Sequence, residues 1–378
     1  MKILVVLTYY RPHWTGLTQY AARLAEGLAK RGHQVEVLCS RHEKNLPLKE
    51  KIGGVIVFRT PFLFKFLRSV FMPSFLFELW KRVRQNEVVV VYLPLQEVLL
   101  VAAAVRILNK KLFLVHNGDL VLPEGGGVIY RLIEKVYYWT TGLAIRFSKK
   151  IIVQTKDYSE KSLLLSRHKD KWAVILPLYQ VTKKNEEAIK EFKKKYCLEK
   201  KILIGFSGRF VEEKGVEYLL RTVPAVVRLI PRAHFVFAGD YQIKYEKYWD
   251  KIQGLVKENQ KHITLVGLLK EQREISAFYR SLSVYVQPSR TDCFPSSLVE
   301  ALLSGVPSVC TDIPGTRWVV KQTGMGLVVK SRNSRSLEKG IIKLLVNKEK
   351  YLRYHWKVKA VFDNQRTLKN YEKLFKKN

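Results

Sequence analysis

The chain has 378 residues, of which 67 are Lys or Arg and 33 are Asp or Glu, so the formal net charge is +34. Hydrophobic residues make up 47% of the chain and aromatic residues 12%, which is enough apolar material for sizeable cores and excludes intrinsic disorder. At roughly 100–200 residues per domain, the length predicts two domains. The excess of cations predicts an anionic partner, which is a nucleic acid, an acidic membrane surface or a phosphorylated small molecule.

Cysteine usage and hydropathy indicate the compartment. Four cysteines are scattered along the chain without a CxxC pair: Cys39, Cys197, Cys293 and Cys310. Their spacing argues against a zinc site and a disulfide framework, and it is typical of a reducing compartment. The apolar run at residues 3–7 is too short for a signal peptide, and Pro94 interrupts the longest apolar tract, Val88–Val105. We expect a cytoplasmic protein, either free or peripheral on the inner face of the cell membrane.

Short runs rich in β-branched residues alternate with helical patterns along most of the chain. The first half contains predicted strands at Lys2–Leu7, Gln34–Cys39, Val55–Phe58, Val88–Tyr92, Leu112–His116 and Lys150–Gln154. The second half contains predicted strands at Ile202–Ser207, His234–Ala238, Ile263–Val266, Val284–Gln287 and Ser308–Thr311. Helices are predicted at Leu17–Arg31, Ile129–Arg146, Glu186–Tyr196, Val216–Leu229 and Ser297–Ser304. Apolar strands separated by helices predict parallel sheets that are covered on both faces.

The composition changes between Pro177 and Asn185, where Thr and Lys interrupt the apolar strand pattern. We therefore predict an α/β fold with two doubly wound, Rossmann-like domains that face each other across a cleft. The first domain spans residues 1–180 and the second spans residues 181–345. A basic helical segment at 346–378 has two interpretations: it packs back on the first domain, or it lies on an anionic surface.

Two turns in the first half carry polar residues at predicted strand ends. Gly16 opens the first helix, where exposed N–H groups suit a phosphate or a developing negative charge, and Thr15 is equally compatible with an ordinary capped turn. No GxGxxG motif supports dinucleotide binding. His116 and Asp119 follow a buried strand, so they either face a ligand or form a satisfied His beside a capping Asp.

In the second half, two cations flank a glycine turn after the first predicted strand. Arg209 follows Gly208, and Lys214 precedes Gly215 and an amphipathic helix. Arg can grip two phosphate oxygens in a fork and Lys supplies a compact charge, so the pair suits a diphosphate leaving group whose charge rises during transfer. The alternative is a solvated charge cluster.

The segment Pro288–Glu300 is the most informative part of the sequence. Asp292 lies in the loop after a predicted strand, and Glu300 lies about one turn into the next helix. The N–H groups of Ser296 and Ser297 are at the start of that helix. Two carboxylates on either side of these groups can hold two sets of hydroxyls around a phosphate, whereas capping alone explains only the serines.

Taken together, these motifs resemble those of the family 4 glycosyltransferases with the GT-B fold. The matching segments span nearly the whole chain: Thr15-Gly16, Arg31–Val35, His116–Asp119, Gly208-Arg209 with Lys214-Gly215, Pro288-Ser289, Asp292–Glu300 and Gly305–Pro307. The resemblance implies sugar transfer from a nucleotide donor with retention of anomeric configuration. It also implies that no metal ion and no further cofactor is required, and that the donor is a UDP-, GDP- or ADP-sugar.

The resemblance also implies roles for individual residues. Arg209 and Lys214 hold the diphosphate, Glu300 binds the ribose hydroxyls, Asp292 binds the donor sugar and His116 lies near the reacting carbon. The remaining implied donor contacts are Gly16, Gly208, Phe294, Pro295, Ser296, Ser297 and Leu298.

Four positions depart from the family pattern. Asp292 stands where Glu is usual, which keeps the charge but shortens its reach. Thr15, Pro295 and Tyr241 stand where Gly is usual. The Asp292 difference motivates one alternative, a non-catalytic paralogue that binds nucleotide sugars.

The segment Thr60–Arg84 mixes aromatic residues with cations. This composition suits the interface of an anionic membrane, and the resemblance assigns the acceptor to this half of the chain. We therefore expect a membrane-presented or lipid-linked glycan as acceptor, while an amphipathic core helix with a loop is the alternative. A nucleic-acid-binding protein is a less favoured alternative, because no RNA-binding signature occurs and the lysines are spread over many helices.

Overall fold

The computed structural model describes residues 1–13, 15–66, 69–120, 127–180, 182–243 and 247–377. The chain forms two compact units, one made of Met1–Tyr179 with Phe362–Asn378 and the other of Gln180–Val361. Among the helices in these ranges, none has the length and apolar character needed to cross a membrane.

The first unit contains an eight-stranded sheet and a separate two-stranded hairpin. The strands are β1 (Lys2–Val6), β2 (Gln34–Ser40), β3 (Lys49–Ile52), β4 (Val55–Thr60), β5 (Phe64–Phe66), β6 (Ser69–Phe71), β7 (Val88–Leu93), β8 (Lys111–His116), β9 (Lys150–Val153) and β10 (Trp172–Val174). The sheet order is β10-β9-β8-β7-β1-β2-β4-β3, and β5 pairs with β6. All neighbours in the sheet are parallel except β3 and β4.

Helices cover both faces of this sheet. They are α1 (Gly16–Lys30), α2 (Phe75–Gln85), α3 (Val98–Ile107), α4 (Gly127–Phe147) and α5 (Lys156–Lys161), with 3-10 turns at Leu165–Arg167 and Lys169–Lys171. Buried side chains of α2, α3 and α4 share one core with β1, β7, β8 and β9. Helix α1 connects β1 to β2, whereas α3 connects β7 to β8, which lie in the opposite direction along the sheet. Because both connections between parallel strands are right-handed, α1 lies on the other face of the sheet.

The second unit contains a six-stranded sheet in which all neighbours are parallel. Its strands are β11 (Ile202–Ser207), β12 (Ala233–Ala238), β13 (Ile263–Gly267), β14 (Val284–Gln287), β15 (Ser308–Thr311) and β16 (Gly326–Val329), in the order β13-β12-β11-β14-β15-β16. Its helices are α6 (Glu186–Lys195), α7 (Val216–Leu220), α8 (Val223–Leu229), α9 (Tyr248–Glu258), α10 (Gln272–Ser281), α11 (Ser296–Leu303), α12 (Thr316–Thr323), α13 (Ser334–Val346), α14 (Lys348–Leu352) and α15 (His355–Val361). Two 3-10 turns span Glu212–Lys214 and Gln260–His262.

The last helix, α16 (Asn364–Lys377), belongs to the first unit. The side chain of Asn364 exchanges two hydrogen bonds with the backbone of Tyr179, at 3.0 and 2.7 Å. The ring of Phe375 lies 4.9 Å from that of Phe113 on β8, between ring centroids. These contacts attach α16 to the rest of that unit through both termini of the helix.

The prediction of two parallel-sheet, Rossmann-like domains is confirmed, and every predicted strand is present. The prediction of one helix over Val216–Leu229 is wrong, because the chain breaks into α7 and α8. Pro224 lies in the first turn of α8, where its missing N–H costs no helical hydrogen bond, so it starts a new helix. The strands that had no sequence signal are short, and three of them, β3, β10 and β16, lie at sheet edges.

Candidate donor site

The strand β11 brings the first predicted cation to the carboxyl edge of the second sheet. The strand ends at Ser207, and the N–H of Gly208 then donates to the carbonyl of Ala238 at the end of β12, at 2.9 Å. Arg209 follows and is exposed, and its guanidinium donates to the carboxylate of Glu213 at 3.3 Å. The cation therefore lies at the strand end, next to the following 3-10 turn.

Lys214 ends this 3-10 turn and pairs with the predicted carboxylate of the loop. Its Nζ lies 2.6 Å from Oδ2 of Asp292, and the two side chains are only 19% and 9% exposed. Burial by itself lowers the pKa of Lys214, but the charges of Asp292 and Glu213 outweigh it and raise the pKa above its usual value. Lys214 is therefore a permanent cation, already ordered by Asp292.

Two glycines in the left-handed region hold the loop that contains Asp292. Gly215 has φ +62°, and a Cβ at that position would lie 2.4 Å from the carbonyl oxygen of Pro288. Gly315 has φ +89°, and a Cβ there would lie 2.2 Å from the carbonyl oxygen of Cys293. Neither position has room for a side chain, because the backbone of the loop packs directly against both glycines.

Arg290 ties the same loop to α7, and sequence reasoning assigned it no role. Its guanidinium donates to Glu217 at 3.1 Å through Nε and to Glu212 at 2.6 Å through Nη1. The buried carboxylate of Glu217 also accepts a hydrogen bond from Tyr248, whose pKa is raised by burial and by the charge of Glu217. The sequence did contain a sign of this pairing. Glu217 is an acid on the apolar face of a helix, where a buried charge needs a partner.

Glu300 on α11 is connected to β11 through a buried tyrosine. The hydroxyl of Tyr279 on α10 lies 3.2 Å from Oε2 of Glu300 and 2.9 Å from Oγ of Ser207. Burial first, and the charge of Glu300 second, raise the pKa of Tyr279 well above its usual value, so it remains a neutral hydroxyl. Tyr279 also had no assigned role in the sequence analysis.

The start of α11 carries the rest of the predicted donor contacts. Pro295 precedes the helix, and no side chain caps its first N–H groups within the described ranges. Ser297 donates to Gln287 at 3.1 Å, while the neighbouring Ser296 is half-buried. Phe294 and Leu298 are buried on either side. The backbone N–H groups at the start of this helix are therefore flanked by buried apolar side chains.

His116 ends β8 in the first unit, and its imidazole is fully buried. Nε2 lies 3.2 Å from Oδ1 of Asp119, which also accepts a hydrogen bond from Ser162 at 2.6 Å. Burial opposes ionisation of Asp119, but the hydrogen bonds from His116 and Ser162 outweigh it and lower the pKa of that carboxyl. The other ring nitrogen, Nδ1, has no hydrogen-bond partner in the part of the chain that the structure describes.

Gly16 is the first residue of α1, and Thr15 caps the helix by accepting from the N–H of Thr18 at 3.3 Å. A Cβ at Gly16 would meet nothing within 4 Å among the described residues, so no steric reason for glycine is visible there. The capped turn, which was one of the two sequence interpretations, is thus present. A ligand role for Gly16 stays a prediction.

The predicted residues thus fall into two groups. Gly208, Arg209, Lys214, Asp292 and Glu300 come together at one edge of the second sheet, whereas Gly16 and His116 belong to the first unit. Over the ranges that the structure describes, no group of three or more His, Cys, Asp or Glu side chains is arranged to hold a metal ion.

Two protein-family models match consecutive parts of the chain. The model described as Glycosyltransferase Family 4 matches residues 14–177, and the model described as Glycosyl transferases group 1 matches residues 188–360. The chain belongs to the family 4 glycosyltransferases. The resemblance inferred from the motifs is therefore confirmed, and so is the assignment of the chain as a transferase.

Individual relatives agree with this assignment. The chain is 24% identical over 389 residues to an uncharacterized glycosyltransferase of Methanocaldococcus jannaschii, covering 94% of this chain and 95% of that protein. It is 29% identical over 168 residues to a phosphatidyl-myo-inositol mannosyltransferase of Mycobacterium leprae, covering 41% of this chain and 43% of that protein.

The fold of this glycosyltransferase also matches solved structures. HepE of Anabaena in complex with UDP and glucose superimposes with a TM-score of 0.80 at 14% identity, and the match covers 100% of both chains. The solved neighbours are GT-B glycosyltransferases, and the predicted GT-B fold is therefore confirmed.

Proposed function

We propose that this glycosyltransferase moves a sugar from a nucleotide-sugar donor to an acceptor with retention of anomeric configuration. The observation that carries the proposal is the cluster at the carboxyl edge of the second sheet, where Lys214 is paired with Asp292 and Arg209 lies just before the 3-10 turn that Lys214 ends. Ligands of open parallel sheets bind at this edge. HepE, which has the same fold, is known in complex with UDP and glucose.

In this proposal, Arg209 and Lys214 bind the diphosphate. Both cations already pair with a carboxylate, Arg209 with Glu213 and Lys214 with Asp292, so little reorganisation is needed as the leaving group gains charge. The fork of Arg209 binds two oxygens, and the ammonium of Lys214 acts as a point charge. Gly208, which precedes Arg209, has φ +156°, a conformation that residues with a side chain rarely adopt.

The remaining donor contacts follow from the same edge of the sheet. Glu300 accepts hydrogen bonds from the ribose hydroxyls, and Asp292 accepts them from the donor sugar. The backbone N–H groups of Ser296, Ser297 and Leu298 bind oxygens of the phosphate and sugar, because the start of a helix is electropositive. Phe294 and Pro295 set the position of that helix start.

The proposed transfer step needs only the donor and the acceptor. The bond between the anomeric carbon and the diphosphate oxygen breaks, and a bond to the acceptor oxygen forms on the same face of the sugar. The acceptor proton moves to the departing diphosphate oxygen, whose charge Arg209 and Lys214 stabilise. His116 contributes near the reacting carbon, and Gly16 leaves the first loop open toward the substrates.

We further propose a membrane-presented or lipid-linked glycan as the acceptor. One relative is named as a phosphatidyl-myo-inositol mannosyltransferase. In the aromatic and basic segment Thr60–Arg84, exposed residues include Phe64, Phe71, Phe77 and Trp80. Residues 67 and 68 of that segment lie outside the described residues. Its apolar surface supports contact with an anionic interface.

A screen of UDP-, GDP- and ADP-sugars tests the proposal by thermal shift and by transfer to lipid-linked acceptors. We expect at least one nucleotide sugar to raise the melting temperature, because it binds only the native state. Arg209→Ala and Lys214→Ala should each lower kcat/KM. The expected fall corresponds to a loss of about 2–4 kcal/mol of transition-state stabilisation. Lys251→Ala is the matched control, since Lys251 pairs with Glu212 at the surface.

Near-wild-type turnover in the Arg209 or Lys214 variants would contradict the assigned roles. Binding of a nucleotide sugar without hydrolysis or transfer would identify a non-catalytic paralogue instead. Melting curves of the Lys214→Ala variant are needed as a control, because the substitution leaves the nearly buried Asp292 without its cation.

A further inference from the structure

Exposed large apolar side chains are distributed unequally between the two units. In the described part of the second unit only four are exposed: Leu229, Leu268, Val346 and Trp356. The first unit exposes many more, and none of them lies on α1 or α16, which belong to the other side of its sheet. Large apolar patches on a soluble surface mark sites of interaction.

Most of this apolar surface belongs to one layer of helices, which we call the helical layer: α2, α3 and α4. The three helices bury one side against the same face of the sheet, in a single core. Their opposite sides therefore point away from the sheet together. The exposed apolar residues on these sides are Leu76, Phe77 and Trp80 of α2, Leu100 and Ile107 of α3, and Val128, Ile129, Leu132, Val136, Trp139 and Phe147 of α4.

Helix α4 carries the most regular part of this surface. Ile129, Leu132, Val136 and Trp139 are spaced by three or four residues and are all exposed. This spacing places them on one side of the helix, as a stripe about three turns long. Only the C-terminal part of α4 is anchored in the core, for example by Ile145. The stripe is therefore an apolar side of a helix that no described element covers.

Cations border the apolar residues of the helical layer. Exposed basic side chains occur on each helix: Lys81 and Arg84 on α2, Arg106 on α3, and Arg131, Lys135 and Arg146 on α4. The acids among the described residues of these helices are Glu78, which pairs with Arg82, and Glu134. An apolar stripe bordered by cations is complementary to an anionic lipid surface, where acyl chains lie beneath phosphates.

A cavity of about 270 Å³ continues this surface at the C-terminal half of α4. Its apolar lining comes from Tyr138, Trp139, Gly142, Leu143, Leu163 and Leu164, and its cationic lining from Arg146 and Arg167, with His168 beside them. Burial first, and the charge of Arg146 second, lower the pKa of His168. Apolar walls next to two guanidinium groups suit the chain and phosphate of one lipid.

We propose that the helical layer docks on an anionic phospholipid bilayer, with the apolar stripe of α4 in the interface and a lipid phosphate at Arg146 and Arg167. This deepens the proposed function, because it names the surface that brings the enzyme to a membrane-presented acceptor. The occupant is a lipid surface, and a second copy of the chain is an outcome that the test must detect.

Flotation of the full-length protein with lipid vesicles tests the docking surface. Vesicles of equal parts phosphatidylglycerol and phosphatidylcholine should bind the protein at low salt, and binding should weaken as salt screens the charges. Vesicles of phosphatidylcholine alone should bind it much less. No binding to the anionic vesicles at low salt overturns the proposal.

Two tryptophans provide a matched pair of variants. Trp139 on α4 and Trp356 on α15 are each 64% exposed, so neither substitution should disturb a core. Trp139→Gln should weaken vesicle binding about tenfold, because an inserted aromatic side chain is lost. Trp356→Gln should leave binding unchanged. Equal effects of the two variants overturn the assignment to the helical layer.

A second pair of variants tests the charges. The double substitution Arg131→Gln and Lys135→Gln should weaken binding about thirtyfold, since each cation near an anionic surface contributes independently. The control is Lys257→Gln with Lys261→Gln in the second unit, which removes the same net charge and should change binding far less. Loss of binding in both pairs shows a diffuse charge effect and overturns the docking surface.

Two further measurements keep the outcomes distinct. Sedimentation across a concentration series should show that the wild type does not self-associate through the stripe. If the wild type does self-associate and Trp139→Gln abolishes that association, a second copy covers the stripe and the proposal is wrong. Thermal shift with UDP-, GDP- and ADP-sugars should be unchanged in every variant. If no nucleotide sugar stabilises even the wild type while vesicle binding behaves as expected, the proposed function fails and the docking surface stands.

Discussion

At the scale of residues, Glu300 accepts a hydrogen bond from a neutral hydroxyl, that of Tyr279. Tyr279 lies between Glu300 and Ser207, with its phenol buried and its pKa raised. A hydroxyl that stays neutral at working pH donates steadily to a carboxylate. In the proposed function, the same carboxylate also accepts hydrogen bonds from the ribose hydroxyls of the donor.

Tyr279→Phe removes this hydroxyl and little volume. We expect nucleotide affinity to fall about fivefold, because one hydrogen bond that positions Glu300 is lost. The melting temperature without ligand should change little by comparison. Isothermal titration with the nucleotide that binds the wild type measures the effect, with Tyr196→Phe as control. Unchanged affinity would show that Tyr279 does not position Glu300.

The residues of the site differ in how far the sequence predicts them. Arg209, Lys214 and Glu300 follow from their positions after strands and at helix starts, since the ends of parallel strands meet at one edge. Arg290 and Tyr279 do not follow from any pattern of this kind. Their partners, Glu217 and Glu300, are 73 and 21 residues away in sequence, so their pairing depends on tertiary packing.

At the scale of elements, an acidic side chain of α16 pairs with the turn that follows α1. Glu372 accepts two parallel hydrogen bonds from Arg31, each of 2.9 Å, and lies 2.9 Å from Nε2 of His33. The hydrogen bond from Arg31, opposed by burial and assisted by His33, lowers the pKa of Glu372 to about 2. The sequence pattern predicts that α16 is a helix, but it leaves open the surface on which the helix lies.

The lowered pKa of Glu372 predicts a pH-dependent contribution to stability. The ordinary pKa of a Glu side chain, which applies when the chain is unfolded, is 4.5. The contribution is therefore fully present above that pH and is lost as the pH falls toward about 2. Glu372→Gln should lower the melting temperature near neutral pH by about 2–4 °C, a shift typical of a lost surface ion pair.

Melting curves of Glu372→Gln and the wild type across a pH series measure this. The difference between them should narrow as the pH decreases below 4.5. Glu258→Gln on α9 is the control, and its difference from the wild type should stay small throughout. A Glu372→Gln difference that does not vary with pH would contradict an electrostatic attachment of α16.

At the scale of the whole molecule, the two units differ in chain continuity. The second unit is one uninterrupted segment, Gln180–Val361, whereas the first needs Phe362–Asn378 in addition to Met1–Tyr179. Within the first unit, Leu368, Tyr371 and Phe375 of α16 are all buried. Without them, apolar surface next to α1 and β8 would face water.

Fragments of the chain should therefore behave differently. A fragment of residues 180–361 should unfold cooperatively and retain nucleotide binding, because Arg209, Lys214, Asp292 and Glu300 all belong to it. A fragment of residues 1–179 should be unstable or aggregate, and added peptide 362–378 should stabilise it. Circular dichroism and thermal shift on the fragments measure both outcomes. A stable 1–179 fragment would show that α16 is dispensable for that unit.

The sequence by itself determined the class of fold, the family and the positions of the main candidate site residues. These follow from local information, namely the period of the apolar pattern and the residue types at strand ends and turns. Only the tertiary structure decided which groups Tyr279 and Arg290 contact and on which surface α16 lies. It also decided that Ile129, Leu132, Val136 and Trp139 are exposed, although their spacing alone is typical of a core helix. The physical reason is that burial and pairing depend on which distant elements cover a side chain.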